Sequence, residues 1–319
     1  VPRPRKRYRY RLRRLTPLGL VALVAGVVGA VVGAHEQAAP AAALAAGPVA
    51  QIAPAVQKTI EREVLLTDSA QLEHTFTPGL LGKSAILVDA RTGRVVWALH
   101  PHQRRQIAST TKIMTALLAL KKLQPHDVVT IDKSVPRVPL VREGLRAGEK
   151  VEAWKLFYAM LLYSGNDDAL AIAIAAGGTK WHFVHQMNVE ARILGLSDTH
   201  FVSPSGVVDV GNYSSAWDLA ALTRVAMRNP RFRQIVRTPR KQVAWAAPTF
   251  SKIYVNNNRL LTTYKGANGV KTGYTHKAGP CLVASATRGG VSLLAVVLDS
   301  PDMYADAKRL LDFGFASLG

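Results

Sequence analysis

The main strand-like segments occur at the two ends of the folded part of this chain, and mostly helix-like segments fill the interval between them. Residues 85–88 (Ala-Ile-Leu-Val) and 94–98 (Arg-Val-Val-Trp-Ala) read as strands joined by the turn Asp89-Ala90-Arg91-Thr92-Gly93. Late in the chain, 269–274, 282–286 and 291–298 read as strands, the last two around the Arg288-Gly289-Gly290 turn. Helical patterns occupy 153–163, 169–176, 181–194 (stopped by Gly195) and 215–227, with a last helix at 303–313. A further helix follows Ser109, carried by Ile113, Met114, Ala116, Leu117, Leu118 and Leu120. A short strand at 128–131 and a basic, glycine-punctuated loop at 138–150 follow that helix. Two strands, many helices and three strands predict an α+β fold. One antiparallel sheet, built from both ends of the domain, packs on a helical block.

The N-terminus bears on compartment. The chain of 319 residues carries a net charge of +20, and eight of its cations lie in the first 14 residues, which hold no acid. The remainder still carries +12, so an anionic partner is favoured: cell-wall polymer, lipid headgroup or nucleic acid. Nucleic acid is set aside because no zinc-knuckle, RNP-type or homeodomain-like pattern accompanies the charge. Residues 18–34 contain no charged side chain, at the short edge of the roughly 17–25 residues that span a bilayer. The basic flank places that end in the cytoplasm and everything downstream outside it. Val32-Gly33-Ala34 offers a small-residue cleavage site, so a retained anchor and a cleaved signal both stay open. The expected organisation is a basic cytoplasmic arm (1–16), a signal anchor or signal peptide (17–34), an Ala/Pro-rich stalk (35–80) and a folded domain (81–319). The single cysteine, Cys281, excludes an internal disulfide and a multi-cysteine metal site, and is expected on a core strand.

Chemistry gathers around three short patterns: Ser109-x-x-Lys112, Ser164-x-Asn166 and Lys271-Thr272-Gly273. On a helix, residues three apart share a face, so the Lys112 amine reaches the Ser109 hydroxyl. A helix N-terminus also favours developing negative charge, and burial beside another cation lowers a lysine's proton affinity. Those features describe an activated nucleophile. The three patterns, in that order, form a set associated with β-lactamases and penicillin-binding proteins.

With these patterns and several longer stretches, residues 83–315 resemble the serine D-Ala-D-Ala carboxypeptidases, the low-molecular-mass penicillin-binding proteins. Carrying the resemblance are Val88-Asp89-Ala90-Arg91-Thr92-Gly93, Ile107-Ala108-Ser109-Thr110-Thr111-Lys112-Ile113-Met114-Thr115 and Ser164-Gly165-Asn166-Asp167-Asp168-Ala169. So do Asn258-Arg259-Leu260-Leu261, Gly269-Val270-Lys271-Thr272-Gly273-Tyr274-Thr275 and Ala278-Gly279. The resemblance implies a β-lactamase/transpeptidase-like fold and a peptidoglycan stem peptide ending in D-Ala-D-Ala as substrate. It also implies β-lactams as covalent inhibitors. It assigns Ser109 as nucleophile, Lys112 as general base and Ser164 as proton relay. Asn166, Lys271, Thr272 and Gly273 become substrate-binding residues. The backbone N–H groups of Ser109 and Tyr274 become the oxyanion hole. No metal or other cofactor is required. Members of this family often carry an arginine near the start of the final helix that assists carboxylate binding. The corresponding Ser300-Pro301-Asp302-Met303-Tyr304 has no basic residue, so anchoring is expected to rest on Lys271 and Thr272.

Other readings use the same residues. A β-lactamase shares the nucleophile and the Lys-Thr-Gly strand, but needs a glutamate-bearing loop, and no Glu-x-x-x-Asn pattern lies between Asn166 and Lys271. A D,D-endopeptidase uses the same bond chemistry, and a non-catalytic wall-binding protein would use only the basic surface. His182 and His185 share a helix face without accompanying carboxylates, so no metal site is expected there. Asn256-Asn257-Asn258 read as turn residues, and Trp97, Trp154 and Trp217 as core.

Overall fold

Strand β1 (Ser84–Asp89) is buried along almost its whole length, which is possible only where both faces of a sheet are covered. The structure, a computed structural model, describes Leu66 and residues 79–207, 211–245 and 251–319. The chain divides into two units, Val1–Gln51 and Ile52–Gly319, and every described residue belongs to the second. The basic arm, the apolar run and nearly all of the expected stalk lie outside the described residues.

β1 pairs with β2 (Val95–Leu99) as the expected hairpin. Short β3 (Arg105–Gln106) leads through a 3₁₀ turn, Ala108–Thr111, into α1 (Lys112–Lys122). β4 (Val128–Thr130) pairs with β5 (Lys150–Glu152) and so closes the basic loop between them. α2 (Ala153–Tyr158) runs on into a π-helical turn, Ala159–Tyr163. Such turns are often found where a helix must deliver a functional group. α3 (Asn166–Gly177) and α4 (Lys180–Ile193) follow, and Thr179 caps the latter by accepting from the His182 N–H. β6 (Tyr213–Ser214) pairs with β3. Ser215 then caps α5 (Ala216–Ala226), and Asn229 caps α6 (Pro230–Val236). The hairpin of β7 (Arg240–Val243) and β8 (Lys252–Val255) and the single turn α7 (Leu260–Thr263) precede the last strands. These are β9 (Ala267–Thr275), β10 (Gly279–Arg288) and β11 (Val291–Leu298). Helix α8 (Met303–Leu318) closes the chain.

The main sheet has the order β2-β1-β11-β10-β9, and all its pairings are antiparallel. Both ends of the domain therefore meet in one sheet, through β1 against β11, as the order of elements predicts. Alternate residues of its strands enter two cores. Ala85, Leu87, Leu282, Leu293, Ala295 and Val297 face α8 through Ala307, Leu310 and Leu311. Ile86, Val88, Val283, Leu294, Val296 and Leu298 face the helical block. Burying each leucine or isoleucine is worth about 1.5–3 kcal/mol, so the two-sided alternation fixes the strand register. Helix α1 is buried from Lys112 through Leu120, which places its first turn inside the protein. Trp97 is buried as expected, whereas Trp154 and Trp217 only pack against the core from its margin.

Candidate active site

The turn that presents Ser109 is conformationally unusual. Ala108 has a φ of 45°, a left-handed conformation that costs a residue with a Cβ about 1–3 kcal/mol. Surrounding contacts hold it there. The Thr110 hydroxyl donates to the Ile107 carbonyl at 2.6 Å, and the turn lies against β9 and against Gly206. Gly206 itself has a φ of 76°, and a Cβ on it would overlap the Ala108 carbonyl and the Thr111 hydroxyl. The sequence places Ser109 at the start of a helical pattern. It lies on the 3₁₀ turn just before α1, where residues i and i+3 eclipse one another.

That geometry sets Lys112 beneath the serine. Lys112 is fully buried and its Nζ donates to Ser109 Oγ at 2.8 Å, Asn166 Oδ1 at 2.8 Å and the Ser205 carbonyl at 3.2 Å. Three acceptors exhaust an ammonium's donors. Neutral lysine instead has one lone pair to accept a proton from Ser109. Burial, then the charge of Lys271, pushes the Lys112 amine well below the ordinary lysine range. Asp168 and Asp167 oppose that shift.

The second element is the loop between the π-helical turn and α3. Ser164 adopts φ 74°, and the reversal aims its hydroxyl at Lys271, whose Nζ donates to it at 3.0 Å. Asn166 opens α3, giving Lys112 its carbonyl oxygen while its amide nitrogen donates to the Pro139 carbonyl at 3.4 Å. The third element is β9. It is an edge strand, so one side of its backbone faces the cleft rather than a neighbour. Lys271 is buried on it, and burial lowers its pKa to about 7. A Cβ on Gly273 would stand 2.9 Å from Ser109 N and 3.0 Å from the Ile107 carbonyl oxygen, so only glycine permits this approach. Tyr274 follows with its ring more than half exposed.

Ser109, Ser164, Asn166, Thr272, Gly273 and Tyr274 all line one cleft of about 860 Å³, with Lys112 and Lys271 hydrogen-bonded beneath its floor. All the residues selected from sequence are thus brought together. Chemically, the arrangement offers a hydroxyl beside a low-affinity amine, a second hydroxyl beside another amine, and an open strand edge. Those are the parts of an acyl-transfer site. Among the described residues no group of His, Cys, Asp and Glu is placed to hold a metal. His182 bonds to Gln186 on an exposed helix face.

Several residues at the site were not singled out from sequence. Ser205 and Gly206 belong to a Ser-Pro-Ser-Gly turn whose glycine signals a tight bend, though nothing local says that it packs on Ala108. Asp168 is fully buried, and neither side-chain oxygen has a hydrogen-bond partner among the described residues. Burial, then the neighbouring Asp167 and Glu143, raises its pKa well above the usual carboxylate value. Asp167 instead accepts from the N–H groups of Glu143, Gly144 and Leu145, tying the basic loop to α3. Glu143 in turn pairs with Lys252. Arg259 also lines the cleft, its guanidinium 5.1 Å from the centre of the Tyr304 ring. The start of α8 has no basic residue, but a cation reaches that rim from the segment before α7. Lys271 and Thr272 are therefore not alone in offering positive or donor groups there.

Comparison with known proteins agrees with this geometry. Residues 72–302 match a family model described as D-alanyl-D-alanine carboxypeptidase. A Bacillus subtilis protein named D-alanyl-D-alanine carboxypeptidase DacF is 34% identical over 243 residues, 73% of this chain and 62% of its own length. A Streptomyces (strain K15) D-alanyl-D-alanine carboxypeptidase is 36% identical over 248 residues, 70% of this chain and 84% of its own. The crystal structure of the Streptomyces K15 DD-transpeptidase superposes with a TM-score of 0.72 at 33% identity, covering 76% of this chain and all of that one.

Proposed function

The chain belongs to the D-alanyl-D-alanine carboxypeptidase family, and from that premise we propose that it removes the terminal D-Ala from peptidoglycan stem peptides through an acyl-enzyme on Ser109. The observation that carries this reading is the chain of contacts from Ser109 through Lys112 to Asn166, set against the Gly273 edge.

In this reading the substrate lies along β9 as an added strand, with its penultimate carbonyl beside Ser109. Lys112, neutral, takes the hydroxyl proton as Oγ attacks, and the Ser109 and Tyr274 N–H groups hold the oxyanion. Aligned donors of that kind are worth about 2.7–4 kcal/mol each. The tetrahedral intermediate collapses by breaking the C–N bond. Ser164, bonded to Lys271, relays to the departing D-Ala nitrogen the proton that Lys112 took, so that Lys112 is neutral again and Ser164 keeps its hydroxyl. Lys271 and Thr272 meet the substrate carboxylate. Water then attacks the ester, Lys112 accepts the water's proton and returns it to the leaving Ser109 oxygen, and Ser109 is freed. β-Lactams, which present an acyl group and a carboxylate in the same relation, acylate the same oxygen.

The proposed setting is outside the cytoplasmic membrane, reached through residues 17–34 as anchor or cleaved signal, with 35–80 as a stalk. Among the described residues no helix is long and apolar enough to cross a membrane. The test is incubation with a diacyl-D-Ala-D-Ala peptide and detection of free D-Ala. Release by the unaltered protein and none by Ser109→Ala supports the reading, and equal release by both removes it.

A further inference from the structure

From 219 to 298 the sequence contains thirteen lysines and arginines and not one aspartate or glutamate. The catalytic reading uses Lys271 and places Arg259 at the cleft, but most of the others lie elsewhere. Arg233, Arg237 and Arg240 are exposed on α6 and the start of β7, and Lys241 is half-exposed beside them. No carboxylate lies within ion-pair distance of Arg237, Arg240 or Lys241 among the described residues. Among the described residues the Arg233 guanidinium donates to the backbone carbonyls of Met227 and Arg228.

Of these cations Lys241 lines a recess of about 300 Å³, separate from the cleft, whose walls also include Trp154, Phe157, Tyr158 and Gln234. Trp154 and Tyr158 stand edge to face with centroids 6.1 Å apart. The Lys241 ammonium lies 5.3 Å from the centre of the Tyr158 ring and 5.7 Å from that of Trp154. Arg231 also lines it, with its guanidinium fixed by the Leu120 and Leu123 carbonyls at the end of α1. The acid nearest this rim, Glu152, is matched by His126 and Lys155. Phe157 and Tyr158 are buried, but the half-buried Trp154 leaves part of an apolar surface of the kind that suits the face of a sugar ring, and exposed cations nearby suit phosphate or carboxylate groups.

The recess connects to the catalytic cleft through one element. In the β7–β8 hairpin, Lys241 is opposite Tyr254 and Arg240 is opposite Val255. Val255, Asn256, Asn257 and Arg259 line the cleft. Directly opposed residues of an antiparallel pair have Cα atoms only about 4.5–5.5 Å apart, so Arg240 adjoins the cleft rim. Successive strand residues point to opposite faces, so Lys241 belongs to the recess side of this ribbon and Arg240 to the side of Val255, placing one cation on each side between recess and cleft rim.

We propose that this surface is an exosite for an anionic glycopolymer attached to the cell wall, which holds the enzyme on assembled wall while the cleft acts on a nearby stem peptide. The proposal rests on the catalytic reading for what the cleft does, but the binding it assigns is independent of Ser109. The probes are purified sacculi with their anionic polymers intact, the same sacculi chemically stripped of them, and vesicles of anionic phospholipid. The proteins are the full chain and a triple variant, Arg237→Gln, Arg240→Gln and Lys241→Gln. Co-sedimentation of the unaltered protein with intact sacculi should weaken with salt and fall about tenfold or more on stripping. The triple variant should lose binding to intact sacculi by a similar factor while releasing D-Ala from a soluble peptide within about twofold of the unaltered protein. Equal binding of the variant, equal binding to stripped sacculi, or stronger binding to vesicles than to intact sacculi overturns the proposal. Arg237→Glu alone guards against a folding artefact: with an unchanged melting temperature it should still weaken wall binding, and failure to do so also counts against the proposal. Loss of D-Ala release by Ser109→Ala bears on the catalytic reading only.

Discussion

Lys112 Nζ donates to Ser109 Oγ at 2.8 Å, and both groups are held from behind, the lysine by Asn166 and the serine by the 3₁₀ turn. No other base lies within hydrogen-bond reach of that hydroxyl among the described residues. Lys112→Gln should therefore slow acylation by a β-lactam by about 10²–10⁴-fold, the usual worth of a general base. Stopped-flow or quench measurement of the acylation rate decides it, and a loss under tenfold would assign the proton to another group.

The pH profile follows from two lysines that need opposite charge states. In the proposed mechanism Lys112 acts when neutral, and its lowered pKa favours that state well below the ordinary lysine range. In the same mechanism Lys271 meets the carboxylate when protonated, and its pKa is about 7. In the free enzyme kcat/KM for a carboxylate substrate should thus begin to fall as pH rises past about 7. A bound carboxylate favours the protonated amine and shifts the fall in kcat to higher pH. A substrate with its terminal carboxylate amidated should lack the alkaline fall, and a parallel fall for both substrates would contradict the assignment.

Asp168 makes stability depend on pH. Its pKa is raised in the folded protein, so between the ordinary aspartate value and the raised one the native state holds more protons than the unfolded state. Its stabilising contribution is complete below the ordinary value and is lost as pH rises through the raised one. Asp168→Asn removes the titration while keeping the shape. Urea unfolding at pH 5 and pH 8 should show a smaller difference for the variant; an unchanged difference would mean that the acid is already ionised.

Gly273→Ala tests the approach of strand and nucleophile. The added methyl would stand 2.9 Å from Ser109 N and 3.1 Å from Thr110 N, both backbone atoms that move only with the turn. The expected cost is about 1–3 kcal/mol in stability from overpacking and a loss of kcat on the order of 10²-fold. Near-normal kcat would show that β9 can slide without harm.

Much of the architecture was legible in sequence because it rests on short periods. The short apolar runs at 85–88, 282–286 and 291–298 and the three-residue offset of Ser109 and Lys112 are local patterns, and the sheet and the lysine contact follow from them. Bounds shifted where tertiary contacts extend an element, as in α8, which runs on to Leu318 as Phe315 and Leu318 pack against the core beneath the sheet. Helix α6 and the β7–β8 hairpin were not picked out from sequence, being short and interrupted by basic residues. The Ser205 carbonyl meets Lys112 across 93 positions, which no local pattern encodes. Whether a carboxyl such as Asp168 points inward without a partner depends on packing alone.

Arg259 supplies the cleft with an exposed cation near α8, where Tyr304 supports it. Arg259→Gln should raise KM for a stem peptide severalfold and leave kcat within about twofold, the signature of uniform binding. A fall in kcat at constant KM would instead give Arg259 a role in the transition state.

The central claim is that Ser109 is the atom acylated. Incubating the protein with a β-lactam, measuring the intact mass and mapping the modified peptide tests it directly. The account predicts one added β-lactam mass on the peptide containing Ser109, released slowly, and no adduct on Ser109→Ala. An adduct on Ser164, or none on the unaltered protein, would contradict it.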